Sequence, residues 1–254
     1  MKKRKAGIGI FVIVLIITAV RIKSMDSHRI SGRILAENIA GPGMLRLVEQ
    51  SMQAWARKTS VTEIAVKERK HPQAALTFDD GPDIRYTPLL LDGLKERNIR
   101  VSFFLLGEKV EQYPELVERM QKEGHLVGNH TYHHVQLNKL NETKAREEIL
   151  KTNNLIYETT GVYPLYLRPP FGAWKKNLEL CVEMLPVFWT IDTLDWKVQN
   201  TEKIVRTVQE QIEDGAIILM HDEYDTSVEA ALQVVDELKN QGYELVTVDQ
   251  LILP

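Results

Sequence analysis

The sequence of 254 residues has a single cysteine, Cys181. One cysteine excludes an internal disulfide, and it excludes a zinc cluster built from several thiolates. Cys181 lies in the apolar run of residues 180–185, so we interpret it as a packing residue and not as a nucleophile. The chain also lacks internal repeats and low-complexity tracts.

An excess of basic residues is missing as well, since the formal net charge is −3. That balance argues against a nucleic-acid partner, which usually requires a basic patch or stripe. Hydrophobic residues make up 44% and charged residues 26% of the chain, values typical of a globular protein with a sizeable core. No segment indicates an obligate protein partner.

The N-terminus has the pattern of a signal sequence or a signal anchor. Four basic residues at positions 2–5 precede residues 6–20, which contain no charged side chain, and Arg21 and Lys23 follow. The apolar run is shorter than the ~20 residues of a spanning helix, but flanking basic side chains can reach the headgroups. Because no typical cleavage site follows, we predict a single-pass membrane anchor at 1–23, with a cleaved signal peptide and secretion as the alternative. Either prediction places the remaining chain outside the cytoplasm.

Residues 24–72 are predicted to form a stalk and one accessory helix. A Gly-Pro-Gly break at 41–43 precedes residues 44–57, where apolar side chains recur with the spacing of one helix face. We expect this helix to pack on the main domain, and contact with a membrane surface is the alternative.

From residue 73 to 254 the pattern alternates between strand and helix. Such alternation predicts a parallel α/β architecture, either an open sheet or a barrel. The predicted strands are 74–78, 101–106, 126–128, 165–168, 187–190, 216–220 and 244–248. The predicted helices are 87–97, 113–123, 141–160, 177–184, 201–213 and 228–241.

Ionisable residues follow five of these strands. In parallel α/β folds the carboxyl ends of the strands form the active-site edge, so these side chains are expected to lie near one another. They are Asp79 and Asp80 after the first strand, and then His130, Arg168, Asp192 and His221.

His130 and His134 are four residues apart, which on a helical turn places both imidazoles on one face and allows them to bind one metal ion. Asp80 is the natural third ligand, and two histidines with one carboxylate leave positions open for water and substrate. His133 is expected to face away. Asp79 then suits the role of general base, although two aspartates before Gly81 also fit a simple turn.

His221 suits a general acid because the ordinary pKa of histidine is ~6.5. Its carboxylate partner is left open among Asp192, Asp195 and Asp222. Arg168, on a proline-stiffened loop, is expected to pair with a catalytic carboxylate, and Asp195 is one residue that could in turn contact this arginine. The tryptophans at 174 and 196 are candidates for an apolar wall against a sugar ring.

Five short motifs in this order resemble those of the polysaccharide deacetylase family, also known as the NodB-homology domain or carbohydrate esterase family 4. They are TFDDGP at 77–82, HTYHH at 130–134, RPPFG at 168–172, DTLDW at 192–196 and LMH at 219–221. The resemblance covers residues 74–252. Many relatives have Ser-His-Pro where this chain has His-His-Val at 133–135, which leaves the ligands intact beside a differently shaped loop.

The resemblance implies a distorted (β/α) barrel of about seven repeats that binds one divalent ion, with Zn²⁺ favoured and Co²⁺ among the alternatives. The implied metal ligands are Asp80, His130 and His134. The implied catalytic residues are Asp79 as base, His221 as acid, Arg168 to orient the base, and Asp195 to hold a neighbouring side chain. The implied substrate-binding residues are Pro170, Phe171, Trp196 and Leu219.

The resemblance further implies a hydrolase that removes N-acetyl groups from N-acetylglucosamine or N-acetylmuramic acid units of a cell-wall polysaccharide. The predicted membrane topology favours peptidoglycan over chitin. Deacetylation of O-acetyl xylan would use the same residues and is an alternative. A non-catalytic carbohydrate-binding relative is a second alternative, but it would be expected to have lost some of the five motifs, and this chain has lost none.

Overall fold

A computed structural model describes residues 71–174 and 184–252. The predicted anchor, the predicted helix at 44–57, Cys181 and all but the last residue of the predicted helix at 177–184 lie outside the described residues. Within the two described ranges, no helix has both the length and the apolar character needed to cross a membrane.

The described residues alternate between strand and helix. The strands are β1 (Gln73–Asp79), β2 (Ser102–Leu105), β3 (Leu126–Asn129), β4 (Tyr166–Leu167), β5 (Leu185–Pro186), β6 (Ile191–Asp192), β7 (Ala216–His221) and β8 (Glu244–Leu245). The helices are α1 (Tyr86–Glu96), α2 (Gly107–Gln112), α3 (Pro114–Lys122), α4 (Glu142–Thr160), α5 (Asp195–Val198), α6 (Thr201–Gln211), α7 (Asp225–Asn240) and α8 (Val248–Ile252).

The eight strands form one parallel sheet in the order β5-β4-β3-β2-β1-β7-β6, with β8 paired to the beginning of β1. All pairs are parallel, so the carboxyl ends of the strands lie on one side. This half-barrel with helices between its strands confirms the predicted α/β architecture.

The predicted strand at 187–190 is wrong, and the reason lies in how the sheet closes. The chain pairs with β4 through β5 and with β7 through β6, at opposite ends of the strand order. The segment between β5 and β6 spans that gap: Val187 N donates to Leu167 O at 2.8 Å, and Thr190 N donates to Ile217 O at 2.9 Å. These four residues, three of them apolar or aromatic, therefore bridge two edges and do not form a strand of their own.

Each face of the sheet has its own core, which explains why the central strands are almost uninterrupted apolar runs. Side chains alternate along a strand, so Leu76 packs on the helix-covered face and Ala75 on the opposite face. On the inner face the packed side chains are Ala75, Phe104, Tyr166, Val187 and Val248. This apolar cluster on the inner face is small. Towards the carboxyl ends of the strands, buried polar residues take the place of the apolar ones.

Replacing Leu91 by alanine is expected to lower the free energy of unfolding by about 2–5 kcal/mol, because it leaves a cavity in the helix-covered core. Leu89 on the same helix is 56% exposed. Leu89→Ala should therefore change the free energy by less than about 0.5 kcal/mol. Denaturant titration followed by circular dichroism compares the two, and equal effects would contradict the placement of Leu91 in the core.

Candidate active site

Asp79 and Asp80 lie at the carboxyl end of the central strand β1. In the sheet, Asp79 is level with Phe104 of β2 and with His221 of β7. Asp79 is only 3% exposed, whereas Asp80 leaves the strand with a φ of 70° and is half-buried. Adjacent side chains of a regular strand point to opposite faces, but this change of backbone conformation lets both carboxylates approach His130 Nε2, at 3.7 Å for Asp79 and 3.4 Å for Asp80.

Arg168 follows β4 and extends across the inner face to β1. Its side chain is fully buried, and Nη1 donates to Asp79 Oδ1 at 2.8 Å and to Thr77 Oγ1 at 2.7 Å. The guanidinium also lies 4.3 Å from the ring centre of Phe104. The prediction that Arg168 pairs with the carboxylate of Asp79 matches this geometry.

Burial raises the pKa of Asp79 above its ordinary value, and the charge and hydrogen bond of Arg168 partly offset that rise. The hydrogen bond occupies Oδ1, whereas Oδ2 faces His130 Nε2 at 3.7 Å. Asp79 therefore has one oxygen fixed by a cation and one directed into the site. A carboxylate whose pKa is raised in this way is better matched to proton transfer near neutral pH.

The three residues predicted to bind a metal converge at the same edge. Asp80 Oδ1 lies 3.4 Å from His130 Nε2 and 3.4 Å from His134 Nε2. One potential ligand atom from each residue lies within 4.8 Å of the other two. His130 Nδ1 is 2.6 Å from the carbonyl oxygen of Arg168, which can only accept. The proton therefore lies on Nδ1, and Nε2 presents a lone pair towards Asp80.

This donor set fits a divalent cation. Asp80 Oδ1 is buried and has no hydrogen-bond partner among the described residues. Burial lowers the pKa of His130 to about 3, so this ring is neutral and two acceptor atoms face each other. In a tetrahedral zinc site with bonds of ~2.0–2.1 Å, ligand atoms stand ~3.3 Å apart, close to the separations seen here. Two imidazoles and one carboxylate suit Zn²⁺ and also accept Co²⁺.

The histidine pair is not on a helical turn, contrary to the prediction. Residues 130–134 form an irregular loop after β3, in which Thr131 has a φ of 67° and His134 a φ of 54°. Such left-handed conformations cost roughly 1–3 kcal/mol each for residues other than glycine. The two rings approach to 5.1 Å between centres because of these backbone reversals and not because of helical spacing.

His221, the last residue of β7, is paired with Asp195. Its Nδ1 lies 2.8 Å from Asp195 Oδ1, and its backbone N–H donates to Asp195 Oδ2 at 2.7 Å. Burial lowers the pKa of an imidazole, but here the hydrogen bond and charge of Asp195 outweigh it and raise the pKa of His221 to about 9. Nε2 is the free nitrogen and lies 3.8 Å from Asp80 Oδ2.

Of the three aspartates that the sequence left open as partners of His221, the structure thus selects Asp195. Asp192 accepts instead from the backbone of Leu194 at 3.0 Å, and Asp222 is buried and accepts from the hydroxyl of Thr87. The alternative contact of Asp195 with Arg168 is not formed among the described residues, because the arginine pairs with Asp79.

The predicted substrate-binding residues differ in exposure. Phe171 is 62% and Trp196 49% exposed, whereas Leu219 in β7 is 5% exposed and Pro170 is buried. Phe171 lies 4.5 Å from the ring of His134, next to the candidate metal ligands. Trp174 does not accompany Trp196: it packs on a separate apolar cluster that includes Leu137, Ile149 and Leu167.

Two residues that hydrogen-bond to the loop at 130–134 were not predicted from the sequence. Asn129, directly before His130, accepts from Thr131 N at 2.6 Å and donates to Asn153 Oδ1 at 2.7 Å. Its place at the end of a buried strand, directly before a candidate ligand, could have indicated a structural role for this side chain. Glu148 in α4 binds the loop at 132–133, and no sequence pattern connects it to that loop.

Comparison with known proteins agrees with this geometry. The family model for polysaccharide deacetylase matches residues 66–187. A peptidoglycan-N-acetylglucosamine deacetylase of Listeria monocytogenes is 41% identical over 185 residues, which are 73% of this chain and 40% of that protein. A peptidoglycan-N-acetylglucosamine deacetylase of Bacillus cereus is 39% identical over 186 residues, which are 70% of this chain and 68% of that protein.

The solved structure of the peptidoglycan deacetylase PdaC from Bacillus subtilis is similar with a TM-score of 0.70 at 42% identity, and the match covers 72% of this chain and 91% of that one. The chain therefore belongs to the polysaccharide deacetylase family. Its half-barrel is the (β/α) barrel fold of that family, as the sequence resemblance implied. The chain spans about two fifths of the length of the Listeria relative, since the match covers 40% of that protein.

Asp195→Asn is expected to lower the pKa of His221 below about 9, because the charge that stabilises the imidazolium is removed. In the parent chain this pair stabilises the fold fully below pH ~6.5, the unfolded pKa of histidine, and the contribution is lost as pH rises through about 9. NMR titration of the histidine ring signals in metal-free protein measures the shift. Asp192→Asn is the control and should leave the pKa of His221 unchanged; an equal pKa in all three proteins would contradict the pairing.

Proposed function

We propose that this chain is a metal-dependent hydrolase that removes N-acetyl groups from N-acetylglucosamine or N-acetylmuramic acid units of peptidoglycan. The observation that carries the proposal is a set of three acceptor atoms, from Asp80, His130 and His134, that converge beside two proton-transfer groups, the side chains of Asp79 and His221. A cation bound there would lie next to both a carboxylate and an imidazolium, which is the combination that amide hydrolysis requires.

The divalent ion, with Zn²⁺ favoured, would be bound by Asp80, His130 and His134. When bound, it supplies Lewis acidity towards the scissile carbonyl and a water nucleophile. Asp79 would accept a proton at Oδ2 from the water that attacks the acetyl carbon, since Oδ1 is engaged by Arg168. Arg168 would keep the base oriented during this transfer.

His221 donates the second proton. The leaving nitrogen must be protonated as the C–N bond breaks, so that acetate and a free amine are formed. His221 Nε2 is available for this transfer because Asp195 engages Nδ1. With its pKa raised to about 9, the ring carries the proton at neutral pH. The acid therefore starts in the protonation state that the reaction uses.

The substrate is proposed from the relatives and from the exposed aromatics at the edge of the site. Both curated relatives described above are named peptidoglycan-N-acetylglucosamine deacetylases. Phe171 presents aromatic surface beside His134, and Trp196, next to Asp195 in the chain, is also exposed; both rings have the flat shape that packs on a sugar ring. Chitin oligomers, O-acetyl xylan and carbohydrate binding without turnover are the alternatives.

The location is a further part of the proposal. We infer from the N-terminal sequence that residues 1–23 anchor a catalytic domain, residues 73–254, outside the cytoplasm in a single-pass arrangement. Secretion after cleavage is the alternative. Residues 24–72 would serve as the stalk and accessory helix. Protease treatment of intact cells tests the topology, since an external domain should be degraded while cytoplasmic proteins survive.

Alanine in place of Asp80, His130 or His134 is expected to abolish both bound metal and deacetylation, because two remaining ligands do not retain the ion. Metal analysis of the purified proteins and acetate release measure the two effects. Asp92→Ala, at an exposed position on α1, is the control and should change neither. Full metal content in any of the three site variants would contradict the ligand assignment.

Asp79→Asn should separate metal binding from turnover. The amide can still accept from Arg168 but cannot take up the proton, so kcat is expected to fall by about 10²–10⁴-fold. Metal content should stay at the parent level, since Asp79 is not among the converging ligands. An Asp79→Asn enzyme with the kcat of the parent chain would exclude this residue as the base.

Substrate choice is tested with purified peptidoglycan, chitin oligomers and acetylxylan, each followed by mass spectrometry for loss of acetyl. We expect peptidoglycan to be deacetylated fastest. Preferential loss of acetyl from xylan would favour the ester alternative. Metal-loaded protein that binds peptidoglycan but releases acetate from none of the three would favour the non-catalytic alternative.

A further inference from the structure

The loop between the two candidate histidine ligands is fixed at its backbone by two helices. On one side, the first residues of α2 donate to its carbonyls, Gly107 N to Thr131 O at 2.9 Å and Glu108 N to Tyr132 O at 3.3 Å. On the other side, the N–H groups of Tyr132 and His133 face α4. Hydrogen bonds to the two helices therefore restrict the backbone of the loop at 130–134, although the loop belongs to neither helix.

One carboxylate, that of Glu148 in α4, accepts from two backbone N–H groups of the loop. Tyr132 N lies 3.0 Å and His133 N lies 2.9 Å from Glu148 Oε2, and His133 Nδ1 lies 2.8 Å from Oε1. The Glu148 side chain is 15% exposed, whereas the adjacent Glu147 is exposed. Both oxygens of a charged acceptor are thus directed to a single loop, and hydrogen bonds to an ionised group are stronger than neutral ones.

The two histidines differ in how their rings are fixed. His130 is fixed directly, through the hydrogen bond between Nδ1 and the Arg168 carbonyl. The ring of His134 makes no hydrogen bond among the described residues and contacts Phe171. Its direction therefore depends on the backbone that leads to it, which is left-handed at Thr131 and at His134 itself. The two residues between these reversals are the ones that Glu148 binds.

We propose that Glu148 is a positioning residue for the metal centre, and that its carboxylate keeps the loop in the conformation that directs His134 at Asp80. This inference rests on the proposed function, because it takes Asp80, His130 and His134 as metal ligands. Glu148 contacts none of these three side chains within the described residues. It acts in place of the hydrogen bond that usually orients a ligating histidine ring.

The test compares Zn²⁺ affinity in the purified full-length chain, stripped of metal and titrated against a chromophoric chelator. Glu148→Gln keeps the size of the side chain but removes its charge, and its Kd for Zn²⁺ is expected to rise by about 10–100-fold. Glu147→Gln removes the same charge one position earlier on the same helix, from an exposed side chain, and should leave the Kd within about twofold of the parent value.

A structural role alone would lower the melting temperature of the metal-free Glu148→Gln protein without changing its Zn²⁺ affinity, and that result would overturn the proposal. If Glu148→Gln does not fold, His133→Ala removes one of the three bonds from an exposed ring; a Kd raised by roughly threefold supports the proposal and an unchanged one overturns it. A parent chain that binds no Zn²⁺ would instead refute the proposed metal centre itself. Normal binding by the parent and by Glu148→Gln alike refutes only the role of Glu148.

Discussion

The buried ion pair between Arg168 and Asp79 is the interaction on which the rest of the site depends. A guanidinium with no exposed surface stays charged and has to be paired, and Asp79 at the end of the central strand is its partner. The carbonyl of the same arginine fixes which nitrogen of His130 is free for a metal. Removing one partner would leave an unpaired buried charge, at a cost of about 3–5 kcal/mol. Arg168, directly after β4, thus orients the carboxylate of Asp79 through its side chain and the ring of His130 through its carbonyl.

Two histidines at this edge have opposite protonation states. The group that Nδ1 faces determines which state each ring adopts. His130 faces a neutral carbonyl, and burial keeps its pKa at about 3, so the ring is neutral and suited to bind a metal. His221 faces the carboxylate of Asp195, which raises its pKa to about 9 despite burial, so the ring is a proton donor. The same side chain is thereby suited to metal binding in one place and to acid catalysis in another.

The sequence was sufficient to predict the parallel α/β fold and the residues at its carboxyl edge, because apolar runs mark buried strands and ionisable residues follow them. The predictions from sequence were wrong or incomplete where contacts between residues far apart in the chain determine the structure. Residues 187–190 look like a strand but span two sheet edges, the histidine pair lies on a loop and not on a helix, and Asp195 could be chosen for His221 only from the fold. Glu148 carries no local pattern, since its partners lie 15 and 16 residues away in the chain.

The proposed function requires that Asp80, His130 and His134 bind one ion beside the Arg168–Asp79 pair. Anomalous diffraction at the zinc edge, from crystals of the chain grown with Zn²⁺, locates such an ion. We expect one strong peak about 2.0–2.2 Å from an oxygen of Asp80 and from Nε2 of both histidines. A zinc peak held by other side chains, or no peak at this position in zinc-saturated protein, would refute the metal centre.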